Sequence, residues 1–301
     1  MDKITNFIKN LLKTAKHTQI ICDDGVSDIA NTDIIKLQKD NTLQDVIASL
    51  SMNKISKIFI YDDEKPVGVI TDKDIIRFLY IDKSGRNLNQ ILAAELMNNI
   101  CFVNKGLTCQ QAAQLMLLNK IGTLGVGSKE NLAGIITKSD LIKYYITRQH
   151  DTSKVSDYMT ISYFSAGIND KVYELIKKMI AFDISRVVIT DDDKKPVGMI
   201  TAGDLFNRTI ETNKLSIVQS SIANYLEKDG LWSETGFVGS QIVGEIMTPG
   251  IITTSPSVDM VDAAKIILEK RIDSLGISDE GNTLLGIISK RNILLALAKD
   301  M

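Results

Sequence analysis

The sequence is poor in the residues that staple, bend or catalyse: it has three cysteines, four prolines, one tryptophan and two histidines in 301 residues. Cys22, Cys101 and Cys109 show no C-x-x-C spacing, so neither a disulfide framework nor a zinc knuckle is implied. His17 and His150 alone leave little material for a histidine metal site, a histidine general base or a hydrolase triad. No apolar run approaches the roughly 18 residues a membrane span needs. The N-terminus scatters lysines and lacks a small-residue cleavage site, so no secretory signal is expected. Neither sign of charge dominates, since 35 basic and 37 acidic side chains leave a net charge of −2. That balance argues against a broad nucleic-acid surface, though not against a local basic groove. What is present, 44% hydrophobic and 24% charged residues, is the profile of a globular protein of about two average domains. Such a chain buries a core without disulfides or metals. The expectation is a cytoplasmic protein, not an enzyme, with no membrane association, no metal and no required cofactor.

Self-similarity is the main positive signal. Asp62 to Thr71 (DDEKPVGVIT) and Asp191 to Thr201 (DDDKKPVGMIT) are near-duplicates, with weaker echoes from Leu132 (LAGIITKSDLI) and Leu284 (LLGIISKRNIL). The shared core of Gly, aliphatics, Thr or Ser, two variable residues and Asp or Asn places Gly68, Gly134, Gly198 and Gly286 in register. Upstream of each lies an acidic landmark: Val26 to Ile29, Ala94 to Met97, Val155 to Met159 and Val243 to Met247. Two landmarks in one order, four times, make a repeat.

Each repeat reads as an extended stretch, an amphipathic helix, a strand, a polar turn, a second strand and a last helix. The helix is clearest in Val172, Leu175, Ile176 and Met179, whose spacing makes one apolar stripe. Ile58 to Ile60 and Val187 to Ile189 read as first strands, with DDEKP and DDDKKP closing hairpins. One such unit cannot cover its own helix faces, so pairing is expected. Repeats one and three share Ile-Ser-basic before the strand, whereas two and four share Ile-x-hydroxyl-Leu-Gly. That alternation suggests duplication of a two-repeat block and two modules, roughly 20–150 and 151–301. The predicted boundaries are an N-terminal amphipathic helix at 1–19, repeats at 20–80, 90–148, 151–210 and 241–301, and a linker or insertion at 211–240.

These units resemble the cystathionine-β-synthase-like (CBS) domain, and adjacent pairs resemble the tandem called a Bateman module. The resemblance covers nearly the whole chain except the first twenty residues or so and Glu211 to Ser240. It implies an α+β fold of four βαββα units paired into two Bateman modules. It also implies a sensor that binds adenosine derivatives such as AMP or ATP without chemistry on them, and a homodimer.

The candidate site follows the repeat. Thr71-x-x-Asp74, Thr137-x-x-Asp140 and Thr201-x-x-Asp204 fall where a strand ends and a helix begins. Hydroxyl, two residues, then carboxylate is a capping box, and capping alone explains the recurrence. A second role adds to it: a carboxylate there can accept two hydrogen bonds from a ribose diol, while hydroxyl and backbone N–H groups face phosphate. Repeat four departs with Ser289-x-x-Asn292, and an amide is the poorer diol acceptor because one head donates. Lys57 and Arg186 precede their strands, where the resemblance places a phosphate-contacting cation. Arg186 is favoured because a guanidinium holds phosphate bidentately. Repeats two and four carry Thr123 and Ser274 there, so cations must come from Lys138, Lys290 or Arg291, or from across the pair. Ile35, Phe102, Tyr163 and Ile251 are candidate adenine walls, or equally core.

Weaker signals are read more plainly. The runs Asp62-Asp63-Glu64 and Asp191-Asp192-Asp193 lack the alternation of a calcium loop and read as turns. Lys3 to Lys16 puts Ile4, Phe7, Ile8, Leu11, Leu12 and Ala15 on one face, expected to pack on a repeat or second subunit. Glu211 to Ser240 holds Trp232 and is a candidate partner contact or intermodule latch. Three functions are carried forward. One is an adenine-nucleotide sensor acting on a regulated protein in trans. The second is a single-stranded nucleic-acid binder, disfavoured by charge and by 6% aromatics. The third is a scaffold in which every motif is only a cap.

Overall fold

The computed structural model describes residues 25–82, 84–148, 153–207 and 241–299. The expected N-terminal helix and the 211–240 insertion with Trp232 lie outside the described residues. In repeat one a single turn, α1 (Val26–Ile29), precedes β1 (Lys36–Gln38), α2 (Leu43–Asn53), the hairpin β2 (Lys57–Asp62) and β3 (Lys65–Thr71), and α3 (Asp72–Ile81). Repeat two follows two 3₁₀ turns, Leu88–Gln90 and Ala93–Glu95, with β4 (Phe102–Val103), α4 (Cys109–Leu118), β5 (Thr123–Gly127), β6 (Leu132–Thr137) and α5 (Lys138–Arg148). Repeat three has α6 (Val155–Tyr158), β7 (Ser165–Gly167), α7 (Val172–Ala181), β8 (Arg186–Thr190), β9 (Pro196–Thr201) and α8, described over 202–207. Repeat four has α9 (Val243–Ile246), β10 (Thr248–Pro249), β11 (Thr253–Thr254), α10 (Met260–Glu269), β12 (Ser274–Ser278), β13 (Leu284–Ser289) and α11 (Lys290–Leu297).

The fold is the expected α+β arrangement, with one small sheet per repeat. In each sheet a short first strand runs parallel to the first strand of an antiparallel hairpin. The local causes are those of the sequence. Thr42 caps α2 in a capping box with Asp45, and Leu43, Val46, Ile47 and Leu50 form its buried stripe. The chain then leaves α2 through Lys54 in the left-handed conformation, φ 52°. Every hairpin carries a bulge just before its turn, at Ile60/Tyr61, Val126/Gly127, Ile189/Thr190 and Ile277/Ser278.

The chain folds as two compact units. One gathers Ile35–Ile100 with Tyr163–Ile251, the bulk of repeats one and three; the other joins the segment ending at Ile34 to Cys101–Ser162 and the chain from Ile252 on. Apolar helix faces are therefore covered by repeats of the same parity. In the odd unit α3 packs on α7, and Ile76, Leu79, Ile176 and Met179 share one core with Leu205. In the even unit α11 packs on α4 and α5, and Met116, Leu141, Ile267 and Leu294 lie in the second core. Each such fully buried aliphatic contributes about 1.5–3 kcal/mol relative to exposure.

The acidic landmarks do not dock on the repeats they open. The segment Gly25 to Asn31 bridges Thr108 and Ile135 of repeat two, while Leu92 and Asn98 bridge Thr42 and Val69 of repeat one. Likewise Lys154 and Thr160 bridge Asp259 and Ile287 of repeat four, and Ile242 bridges Lys171 while β10 pairs with β9 of repeat three. Consecutive repeats thus exchange landmarks, within 25–148 and again within 154–297. This exchange explains the recurrent glycine. A Cβ at Gly286 would lie 2.7 Å from the carbonyl oxygen of Thr160, and one at Gly198 2.6 Å from that of Thr248. The visiting backbone needs the space a side chain would take.

Candidate ligand-binding site

Each hydroxyl-x-x-acid motif stands at the start of the last helix of its repeat. In repeat one the amide of Thr71 donates to Asp74 Oδ2 at 2.9 Å and the Thr71 hydroxyl donates to the same oxygen at 2.6 Å. The amide of Asp74 returns a bond to Thr71 Oγ1 at 3.3 Å, completing the capping box. Repeat three repeats the geometry, with Thr201 donating to Asp204 Oδ2 through amide and hydroxyl, both at 2.7 Å. In repeat two Thr137 donates to Asp140 Oδ2 at 3.0 and 2.7 Å. Capping is therefore real in all three, and it takes one oxygen of each carboxylate. The two oxygens are not equivalent, as the diol reading from sequence had them. Only Oδ1 faces outward with its lone pairs uncommitted to the cap.

The fate of Oδ1 separates the repeats. Asp140 Oδ1 lies 3.2 Å from the Lys143 ammonium, on the next turn of the helix. Asp204 Oδ1 accepts from the Thr248 hydroxyl at 3.1 Å, on the exchanged strand β10. Asp74 Oδ1 has no partner among the described residues, although Asn98, which stands in repeat one where Thr248 stands in repeat three, lines the same groove.

Repeat four corrects an expectation. Ser289 and Asn292 stood among the candidate ligand residues, but both are buried, Asn292 being 7% exposed. The Ser289 amide and hydroxyl donate to Asn292 Oδ1, and Asn292 Nδ2 donates to the Tyr158 carbonyl at 2.7 Å and to Thr160 Oγ1 at 3.3 Å. Both heads of the amide are spent on protein, so nothing remains to accept a diol.

The expected cations stand opposite the motif hydroxyls. Lys57 pairs across the hairpin with Thr71 and Arg186 with Thr201, each as the first residue of its strand; Thr123 and Ser274 hold the same register against Thr137 and Ser289. Lys138 opens α5 and lies along Gly122, while Lys290 pairs with Asp273 at 2.8 Å. Ile35 packs against the odd core, as its alternative reading as core required. Tyr163 and Ile251 are half-buried in the same unit. Phe102 on β4 lines a groove with Leu107, Leu115 and Lys129 whose walls do not include Thr137 or Asp140.

Asp74 opens onto a groove of about 550 Å³ lined by Arg77, Phe78, Ile81, Asp82, Arg86, Leu96 and Asn98. Its far rim is braced by Arg86, which forks onto Glu95 at 3.0 and 2.7 Å. The guanidinium and the Leu92 amide hold the Glu95 carboxyl below the usual carboxylate range. Sequence reasoning missed Arg77. The signal was there, since a residue three after the motif acid shares its helix face. Among the described residues no cluster of His, Cys, Asp or Glu could hold a metal ion, and no helix is long and apolar enough to cross a membrane.

Four βαββα repeats, paired through exchanged landmarks, define a repeat-built architecture with a polar helix start in each unit. The chain belongs to the CBS domain family, whose model matches residues 26–81, 93–147, 155–211 and 243–299. It is similar to protein MJ1225 of Methanocaldococcus jannaschii, 21% identical over 280 residues, covering 88% of this chain and 95% of that protein. The crystal structure of MJ1225 superposes with a TM-score of 0.79 at 20% identity, covering 91% of this chain and 100% of the other. A conserved protein of Pyrococcus horikoshii superposes at 0.60 with 18% identity, again over 91% and 100% of the chains. Protein MJ1404 of M. jannaschii is 21% identical over 290 residues, 93% of this chain and 63% of that one. The fold is thus that of four CBS units paired as Bateman modules.

Proposed function

We propose that the protein is a non-catalytic regulatory sensor that binds adenine nucleotides or related adenosyl ligands at its helix-start carboxylates and passes their occupancy to a partner in trans by rearranging its modules. Membership of the CBS family supports an adenosyl ligand. The observation that carries the reading to particular residues is the outward Oδ1 of Asp74, held by a cap that uses only Oδ2. A fixed carboxylate oxygen with free lone pairs is what a vicinal diol requires as acceptor. Asp140 and Asp204 are sites of the same kind whose outer oxygen must first be released from Lys143 or Thr248.

Thermal melts of the full chain with AMP, ADP, ATP, S-adenosylmethionine and adenosine test the reading. A ligand at 100 times its dissociation constant stabilises by about 2.7 kcal/mol, a shift that melting resolves. The 2′-deoxy nucleotide should bind more weakly than its ribonucleotide. No shift with any adenosyl compound would leave the motifs as caps alone.

A further inference from the structure

We infer that Arg77 is the anion-reading residue of repeat one, and that the groove along α3 takes a ribonucleotide whose phosphate lies about one helical turn from its diol. The inference rests on the ligand class proposed above and adds to it the residue that selects within that class.

Charged groups in the groove are spent, with two exceptions. Arg86 is committed to Glu95 through both terminal nitrogens. Asp82 accepts from the amide and hydroxyl of Ser84, both at 3.0 Å, and lies 3.9 Å from Arg86. Asp74 Oδ1 and the exposed Arg77 guanidinium have no partner among the described residues. They stand at i and i+3 on α3, about 5–6 Å apart at Cβ, where opposite charges normally close on each other. Repeat two shows that closure: Lys143, at the position equivalent to Arg77, sits on Asp140. In repeat one the acceptor and the donor stay apart and face one groove.

An acceptor for hydroxyls and a forked donor for an anion, one turn apart, match a sugar with a charged group on it. The planar guanidinium bonds a phosphate bidentately. Phe78, Ile81 (56% exposed) and Leu96 offer apolar surface beside them for a base. A carboxylate on an adenosyl amino acid is the competing partner for Arg77, but a phosphate monoester carries the larger negative charge and three oxygens for the guanidinium fork. The phosphate is therefore the assigned anion.

Isothermal titration of AMP, adenosine and S-adenosylmethionine tests this in a full chain whose Asp140 and Asp204 are both changed to Asn, leaving repeat one with the free carboxylate. The readout is the preference for AMP over adenosine. Arg77→Gln should reduce that preference roughly 10-fold, the loss of a charge-assisted pair, and Arg77→Lys should restore part of it. A preference unchanged by Arg77→Gln overturns the assignment while leaving the adenosyl site standing. S-adenosylmethionine binding more tightly than AMP, with the same dependence on Arg77, overturns the phosphate assignment. If neither AMP nor adenosine binds, the site and this inference fall together.

Discussion

Asn292 donates through Nδ2 to the carbonyl of Tyr158, and so ties the last helix of repeat four to the landmark that opens repeat three. The bond is half-buried, and it stands at the motif position that Asp74 holds in repeat one. Asn292→Asp sets a carboxylate oxygen against that carbonyl and leaves Tyr158 without its donor. The expected cost is roughly 1–3 kcal/mol, read as a lower denaturation midpoint, with no gain of ligand response. A variant as stable as the parent would show that the tie is idle.

The three carboxylates should not respond alike to ligand. Asp74→Asn removes the one outer oxygen that has no partner among the described residues, so it should cost more affinity than Asp140→Asn, roughly 10-fold or more. Thr248→Val deletes the hydroxyl that occupies Asp204 Oδ1 at 3.1 Å and keeps a β-branched residue in β10. Binding at repeat three should tighten several-fold. Titration of each single variant checks the ranking, and a uniform loss across repeats would contradict it.

The recurrent glycine carries a steric prediction. Gly286→Ala and Gly198→Ala drive a methyl to 2.7 and 2.6 Å from a backbone carbonyl oxygen, whereas Gly134→Ala comes no nearer than 3.0 Å to Ala30 and 3.2 Å to the carbonyl of Asn31. The looser contact is relieved by a shift of a few tenths of an ångström, and the tighter ones are not. The first two should lose about 1–3 kcal/mol and Gly134→Ala distinctly less. Urea midpoints of the three variants decide it.

Alkaline pH should loosen the odd unit. Tyr80 stacks beside Tyr173 with centroids 5.4 Å apart, and burial first, then the hydrogen bond to Tyr173, pushes its hydroxyl up to about 12. A phenol whose pKa is raised on folding contributes stability that is complete below its ordinary value near 10. It loses that contribution as pH rises through 12. Melting temperature should therefore fall between about pH 10 and 12, and Tyr80→Phe should flatten that fall. An unchanged slope in the variant would place the alkaline sensitivity elsewhere.

The elements and the caps were legible because their causes are local. The stripe of Val172, Leu175, Ile176 and Met179 is periodic within ten residues, and Thr71 meets Asp74 within one turn. The exchange of landmarks was not legible. Val155 bonds to Val258 across roughly a hundred residues, and four similar sheets offer similar edges, so pattern alone cannot choose among them. Same-parity pairing of helices was hidden for a like reason, since an apolar stripe says that it needs cover and not whose. At the site, the motif acid was legible in sequence, but not the fate of the oxygen the cap leaves over. That depends on Lys143 from the next turn of the same helix and Thr248 from an exchanged strand.

The swapped landmarks also fix where this chain can be divided. A break between residues 31 and 135, or between 160 and 287, strands a landmark away from the sheet that receives it, and leaves a glycine groove with no backbone to fill it. A break between 148 and 153 severs no such crossing. Each half would keep its sheets whole but bare its helices, and two halves, or two copies of one half, would then meet along those faces for want of water's tolerance of them.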